Sequence, residues 1–283
     1  MGIVYKFGKD MPESSYYSPT GGLPSQSNLL TDRSVFTEAY AVITKKTNTD
    51  IVASFLPFWT NMRMWVLARP LSGFAETFSH YIVELGPNGG SQKPELDVLA
   101  EAVIFVVEGK IKLTVGKKSF DLFEGGYAYL PAGEEWNLEN PDTKRTSFHW
   151  IRKRFQAVKG LASPEVLIAN EKDILPSPMP GTDGRWVTTR FVDPEDMRYD
   201  MHVNIVTFQP GAVIPFSETH VMEHGLYILQ GKGVYRLNSD WVEVEAGDYI
   251  WLRSFCPQAC YAGGPEPFRY LLYKDVNRHM SFL

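Results

Sequence analysis

The sequence predicts an all-β chain built as two like domains in tandem. Three observations carry that expectation. Short runs of β-branched and aromatic residues, broken by Gly, Pro, Asn and Asp, dominate over helical periodicity. One hairpin pattern is written twice. The two copies keep a constant spacing, because Gly109 and Gly231, and again Gly125 and Gly247, stand 122 residues apart.

Taken in chain order, the first ~35 residues are rich in Ser, Pro and Gly and read as an arm or ordered loop. The first hairpin runs from Ile104-Phe105-Val106-Val107 through Glu108-Gly109-Lys110 into Ile111-Lys112-Leu113-Thr114-Val115. Phe120 to Tyr127, with Gly125 and Gly126, follows and corresponds to Trp241 to Asp248 of the second copy. Pro164, Pro176, Pro178 and Pro180 punctuate a weakly patterned stretch from about Val158 to Asp200, within which Arg185 to Phe191 reads as a strand. The hairpin then recurs as Leu226-Tyr227-Ile228-Leu229, Gln230-Gly231-Lys232-Gly233 and Val234-Tyr235-Arg236-Leu237, followed by Trp241 to Asp248. A repeat this long implies two complete domains rather than a solenoid. The expected partition is 1–160 and 161–283, with a fraying tail from Arg278 to Leu283.

Composition narrows the function classes. With 283 residues, 44% of them hydrophobic, the chain is long enough for substantial cores without cross-links. A net charge of −5 gives no reason to expect nucleic acid or an anionic membrane as partner. No apolar run reaches the ~20 residues of a membrane span, and the N-terminus lacks a secretory pattern. Cys256 and Cys260 are too few and too close for a disulfide framework. The expected compartment is the cytoplasm.

Glu218-Thr219-His220-Val221-Met222-Glu223-His224-Gly225 is the segment that carries chemistry. In an extended strand Glu218 and His220 share a face, and His224 follows a short turn at which a new strand begins. A carboxylate and two imidazoles converging in a barrel mouth can hold a metal. Such a string alone is more often a solvated loop. The first repeat argues otherwise: its equivalent positions are Leu96, Val98, Ala102 and Trp136, none of them a metal ligand.

The spacing resembles the cupin superfamily. That pattern is a Gly, His-x-His, three or four residues, Glu, six residues and Gly, then a second motif from a Gly to a final His. Here it reads Gly211, Glu218-x-His220, His224 and Gly231, with Gln258 at the final position counted from Gly247. The fold this implies is two tandem cupin barrels, each a double-stranded β-helix or jelly roll, with a metal only in the second. A shell of Glu218, His220, His224 and the amide of Gln258 leaves positions open. It suits Mn2+ or Fe2+ better than the closed, often sulfur-rich tetrahedron of structural Zn2+. Cys256 and Cys260 bracket Gln258 and read as buried structural thiols.

Within the cupins the chain is similar to the bicupin (S)-ureidoglycine aminohydrolases, whose bacterial members include glyoxylate-induced proteins. The likeness rests on Glu218 to Gly225, Gly231 to Leu237, Trp241, Gly247-Asp248-Tyr249-Ile250-Trp251, Pro257-Gln258 and Arg269 to Arg278. It implies release of ammonia from (S)-ureidoglycine, with Mn2+ as cofactor (Fe2+ and Zn2+ the alternatives), a small-molecule substrate and a homo-oligomer. Carried over, the metal ligands are Glu218, His220, His224 and Gln258, while Tyr270 and Lys274 line the substrate site. Lys274 then pairs with the substrate carboxylate, and Lys274 or Glu218 relays a proton. Two other readings compete: another metal-dependent bicupin such as an Fe2+ dioxygenase, and a non-catalytic small-molecule binder.

Overall fold

The computed structural model describes residues 33–45, 47, 56–70 and 73–275. The expected N-terminal arm and the tail from Arg278 lie almost wholly outside them. Among the described residues there is no α-helix, and one 3-10 turn spans Glu171–Asp173.

Among the described residues twenty strands follow one another. They begin with β1 (Val35–Phe36), β2 (Tyr40–Ile43), β3 (Trp59–Ala68), β4 (Phe78–Ser91) and β5 (Ala100–Glu108). Next come β6 (Lys110–Val115), β7 (Lys118–Phe123), β8 (Gly126–Leu130), β9 (Trp136–Glu139) and β10 (Thr146–Arg154). The interval between the repeats supplies β11 (Leu167–Asn170), β12 (Ser177–Pro178) and β13 (Trp186–Arg190). The second repeat is β14 (Met201–Phe208), β15 (His224–Gln230), β16 (Lys232–Leu237), β17 (Asp240–Glu245), β18 (Tyr249–Leu252), β19 (Gln258–Ala262) and β20 (Phe268–Asp275).

The duplicated hairpins match in the fold. Gly109 joins β5 to β6 with φ +76°, and Gly231 joins β15 to β16 with φ +78°. At Gly231 a Cβ atom would also lie 2.4 Å from the Pro267 carbonyl oxygen, so both conformation and space demand glycine. In the second barrel an eight-stranded sheet, ordered β1-β2-β18-β15-β20-β14-β13-β12, faces the three-stranded sheet β17-β16-β19. In the first, nine strands form one continuous sheet that curls from β11 and β8 through β5, β10, β4 and β9 to β6 and β7, with β3 flanking β4.

Strands cross the partition expected at 160/161. β2 pairs with β18 of the second barrel, and β11 pairs with β8 of the first. The sequence could locate the repeated hairpins because their glycines are fixed by geometry. Edge strands carry no such mark and attach by backbone pairing alone.

Strand alternation sorts the apolar residues into three cores. Tyr81, Val83, Ile104, Phe148 and Trp150 fill the first barrel, while Val206, Phe208, Leu226, Ile228 and Tyr270 fill the second. A third core lies between the barrels, where Phe78, Ile82 and Ile151 of one meet Val203, Ile205, Tyr249, Leu271 and Tyr273 of the other. At its centre Phe78 stacks on Tyr273 with ring centroids 3.8 Å apart. The buried ion pair of Lys153 with Asp200 ties β10 to the segment leading into β14.

Candidate metal centre

Glu218 does not lie in a long strand. It forms an isolated bridge with Gln258, each backbone N–H donating to the other's carbonyl at 2.9 Å. A directly opposed pair points its side chains to one side. On β19, Gln258 shares a face with Cys260 and Ala262, both in the second barrel's core. Glu218 and Gln258 therefore face the barrel interior.

His220 follows with Nε2 3.5 Å from Glu218 Oε1. His224 opens β15, and its ring centroid lies 5.1 Å from that of His220. The Nδ1–H of His224 donates to the Met222 carbonyl at 2.9 Å, which fixes the tautomer and leaves Nε2 as a lone pair. Burial, reinforced by the neighbouring His220, pushes the His224 imidazole down to about 3, so it is neutral at physiological pH. A neutral, pre-oriented imidazole beside a carboxylate and a carboxamide is chemically a divalent-metal donor set. Among the described residues, however, no three His, Cys, Asp or Glu side chains are closed around a common point. His220 is a third exposed, with the Glu218 carboxylate beside its ring.

The turn carrying these donors is anchored from the first barrel. Glu223, between the two histidines, turns its carboxylate away from the site. It accepts from the N–H of Glu76 (2.7 Å), the N–H and hydroxyl of Thr77 (3.0 and 2.6 Å) and Trp251 Nε1 (2.6 Å). Its own N–H donates to Asp275 at 2.8 Å.

The wall of the site is a row across the large sheet: His202 on β14 stands opposite Lys274 on β20, which stands opposite His224. One step deeper come Asn204, Leu272 and Leu226, and then Val206, Tyr270 and Ile228. Lys274 is half-buried, and its ammonium is pushed down first by burial and then by repulsion from Arg190. Tyr270 lies in the core beside Tyr235 and Phe268, its hydroxyl held protonated by burial.

A profile for the cupin domain matches residues 81–152 and 204–273. The (S)-ureidoglycine aminohydrolase of Escherichia coli K12 is 34% identical over 232 residues, 82% of this chain and 87% of that protein. The enzyme of the same name from Arabidopsis thaliana is 34% identical over 248 residues, covering 87% of this chain and 79% of its own. The chain is a cupin of the (S)-ureidoglycine aminohydrolase family. A crystal structure from Pseudomonas aeruginosa, named as a glyoxylate-induced protein, is 66% identical. It covers 95% of this chain and 99% of its own, with a TM-score of 0.87.

In this family member the residues singled out by sequence gather at one end of the second barrel. The equivalent positions of the first barrel carry no donor. Leu96 and Val98 are exposed, Ala102 is buried, and Trp136 packs edge-on against Trp150 at 6.2 Å. A cleft of about 420 Å³ opens there, lined by Leu96, Val98 and Trp136, away from the candidate centre. Cys256 and Cys260 are free and buried, and burial pushes the Cys260 thiol up to about 12, which suits packing and not metal binding. Three residues of the wall escaped the sequence reading: Arg190, His202 and Asn204. Their signal was the alternation of β14, where polar His202 and Asn204 share a face with Val206 and Phe208, but alternation alone does not tell a polar cavity from solvent.

Proposed function

We propose that this protein hydrolyses (S)-ureidoglycine to (S)-ureidoglycolate and ammonia, with Mn2+ held by Glu218, His220, His224 and Gln258. The observation that carries the reading is the convergence of Glu218, Gln258, His224 and Lys274 on one barrel interior in a chain whose named relatives are ureidoglycine aminohydrolases. Mn2+ is preferred because two oxygen and two nitrogen donors with open positions suit it, with Fe2+ and Zn2+ as alternatives.

The reaction breaks the C–N bond to the amino group and forms a C–O bond to water at the same carbon, leaving the ureido group in place. A bound divalent cation supplies Lewis acidity at this position. Lys274 approaches from the adjacent strand and pairs through its ammonium with the substrate carboxylate. Burial makes that ammonium a readier proton donor than an exposed lysine, so it also serves the departing amine. In this reading Glu218, beside His220, takes a proton from the attacking water. The Tyr270 hydroxyl, kept protonated, closes the floor of the site as a hydrogen-bond donor. In keeping with the family, the working form is expected to be a homo-oligomer. Among the described residues no helix is long and apolar enough to cross a membrane.

The test is ammonia release from freshly generated (S)-ureidoglycine, corrected for spontaneous decay, with and without added Mn2+. Metal-dependent release that disappears in Glu218→Ala supports the reading. Oxygen uptake without ammonia would replace it with a dioxygenase.

A further inference from the structure

The inward face of β13 and β14 carries three polar side chains that the proposed reaction leaves unused. His202 and Asn204 are 6% and 4% exposed, and they share their face with Val206 and Phe208 of the barrel core. The Nε2 of His202 and the Oδ1 of Asn204 have no hydrogen-bond partner among the described residues. Buried polar atoms are satisfied in the great majority of cases, so two orphans on one strand face point to a missing partner. Arg190 stands directly opposite Asn204 on β13. It lies near enough to Lys274 and His202 for its charge to act against protonation of both. Among the described residues neither Arg190 nor Lys274 forms an ion pair. Asp193 and Asp196 contribute opposing charge near His202. Glu218 and Asp275 act on the Lys274 charge, but no ion pair holds either cation, so the wall can take an anionic ligand between Arg190 and Lys274.

We propose that Arg190, His202 and Asn204 form the substrate-positioning wall of this site, with Arg190 and Lys274 flanking the substrate carboxylate while Asn204 and His202 engage its ureido group. This deepens the ureidoglycine reading and rests on it. A guanidinium presents a planar fork that matches a carboxylate, whereas the Lys274 ammonium acts as a point charge. A carboxamide complements a ureido group because each offers one acceptor and N–H donors in one plane. The orphan Oδ1 of Asn204 accepts a ureido N–H, and the neutral imidazole of His202 takes a second hydrogen bond. None of the three residues binds the metal, so they position the substrate while the donors beside them carry the chemistry.

The probe is N-carbamoylglycine, which keeps the carboxylate and the ureido group but has no amino group to lose. Its affinity for the full-length, Mn2+-loaded protein is measured by calorimetry beside two controls: its primary amide, lacking the carboxylate, and N-acetylglycine, lacking the terminal NH2. Arg190→Gln is expected to weaken N-carbamoylglycine by about 10- to 100-fold, as for loss of a charge-assisted bond, and to leave the amide within about twofold. Asn204→Leu is expected to weaken N-carbamoylglycine about tenfold and to spare N-acetylglycine. Metal content should stay at the wild-type level in both, and KM should rise more than kcat falls. Should Arg190→Gln not fold, Arg190→Lys keeps the charge, loses the fork and should give an intermediate loss confined to the acid. If Arg190→Gln weakens acid and amide alike, or neither, the carboxylate assignment is overturned. If Asn204→Leu affects N-carbamoylglycine and N-acetylglycine equally, or neither, the ureido assignment is overturned, and ordered water then satisfies the wall. A wild-type protein that releases ammonia while the variants bind as it does sinks this inference alone. One that neither releases ammonia nor binds the probe sinks the functional reading as well.

Discussion

His224 illustrates how one side chain is prepared for a metal before any metal arrives. The carbonyl two residues earlier holds its Nδ1–H, so Nε2 is the atom left to bind. Burial disfavours its protonation, removing the competitor that a cation would otherwise have to displace. Cys260 lies two residues from Gln258 on the same face of β19, yet burial holds its thiol protonated within the barrel core. Replacing the two residues should therefore have opposite consequences. His224→Ala is expected to reduce bound Mn2+ to background in elemental analysis of purified protein. Cys260→Ala should keep the wild-type metal content and lose about 1–2 kcal/mol of stability through the small cavity left behind. Equal metal loss in both would bring the sulfur back as a ligand.

At the scale of elements, the turn between Glu218 and His224 has little regular structure of its own, and Glu223 supplies what the turn lacks. Four donors from the first barrel and from Trp251 converge on its carboxylate, anchoring the turn that carries both histidines. Glu223→Gln keeps the shape but replaces one acceptor oxygen by a donor amide, which cannot satisfy that cluster. Mn2+ affinity should fall about 10- to 100-fold by titration, the usual loss when a group that orients a ligand is removed. Unchanged affinity would show that the turn holds itself. The hairpin glycines make a separate point. Gly231→Ala forces a left-handed residue to carry a Cβ into the Pro267 carbonyl, and it should cost about 1–3 kcal/mol in denaturant unfolding. Gly116 has a similar backbone conformation, but nothing lies within 4 Å of the space its Cβ would occupy. Gly116→Ala should be the milder change.

At the scale of the whole molecule, the contact between the barrels is an apolar core with a histidine pair inside it. His80 Nε2 and His149 Nδ1 are 2.9 Å apart, one ring donating to the other. Both rings are enclosed, with Tyr249 edge-on to His80 and Tyr227 against His149. Burial pushes His149 down to about 3, and burial with repulsion from His149 pushes His80 well below its ordinary range. Both are therefore neutral in the fold. Between about pH 6.5 and pH 3 the unfolded chain binds protons that the folded chain refuses. The pair's contribution to stability is complete above pH 6.5 and declines as the pH falls. Each group contributes a slope of at most about 1.4 kcal/mol per pH unit. Unfolding free energies measured from pH 7 to pH 5 should fall more steeply for the wild type than for His149→Asn. Parallel pH profiles would mean that carboxylates alone set the acid sensitivity.

By itself the sequence determined the all-β class and the duplication, and it singled out the candidate donors. Each of these is written in short-range terms: alternation, glycines at fixed spacing, and a Glu-x-His with a His four residues on. The absence of donors in the first repeat was equally legible, because a repeat supplies its own comparison at every position. Tertiary structure decided the rest. It alone shows that Glu223, which sits in the motif like a ligand, faces the other barrel, and that β2 and β11 pair across the expected boundary. It also decides that His202 and Asn204 face the interior of the second barrel and not the solvent. The physical reason is common to all three. Period and spacing fix which side of a strand a residue occupies, but what that side faces depends on packing between segments far apart in the chain.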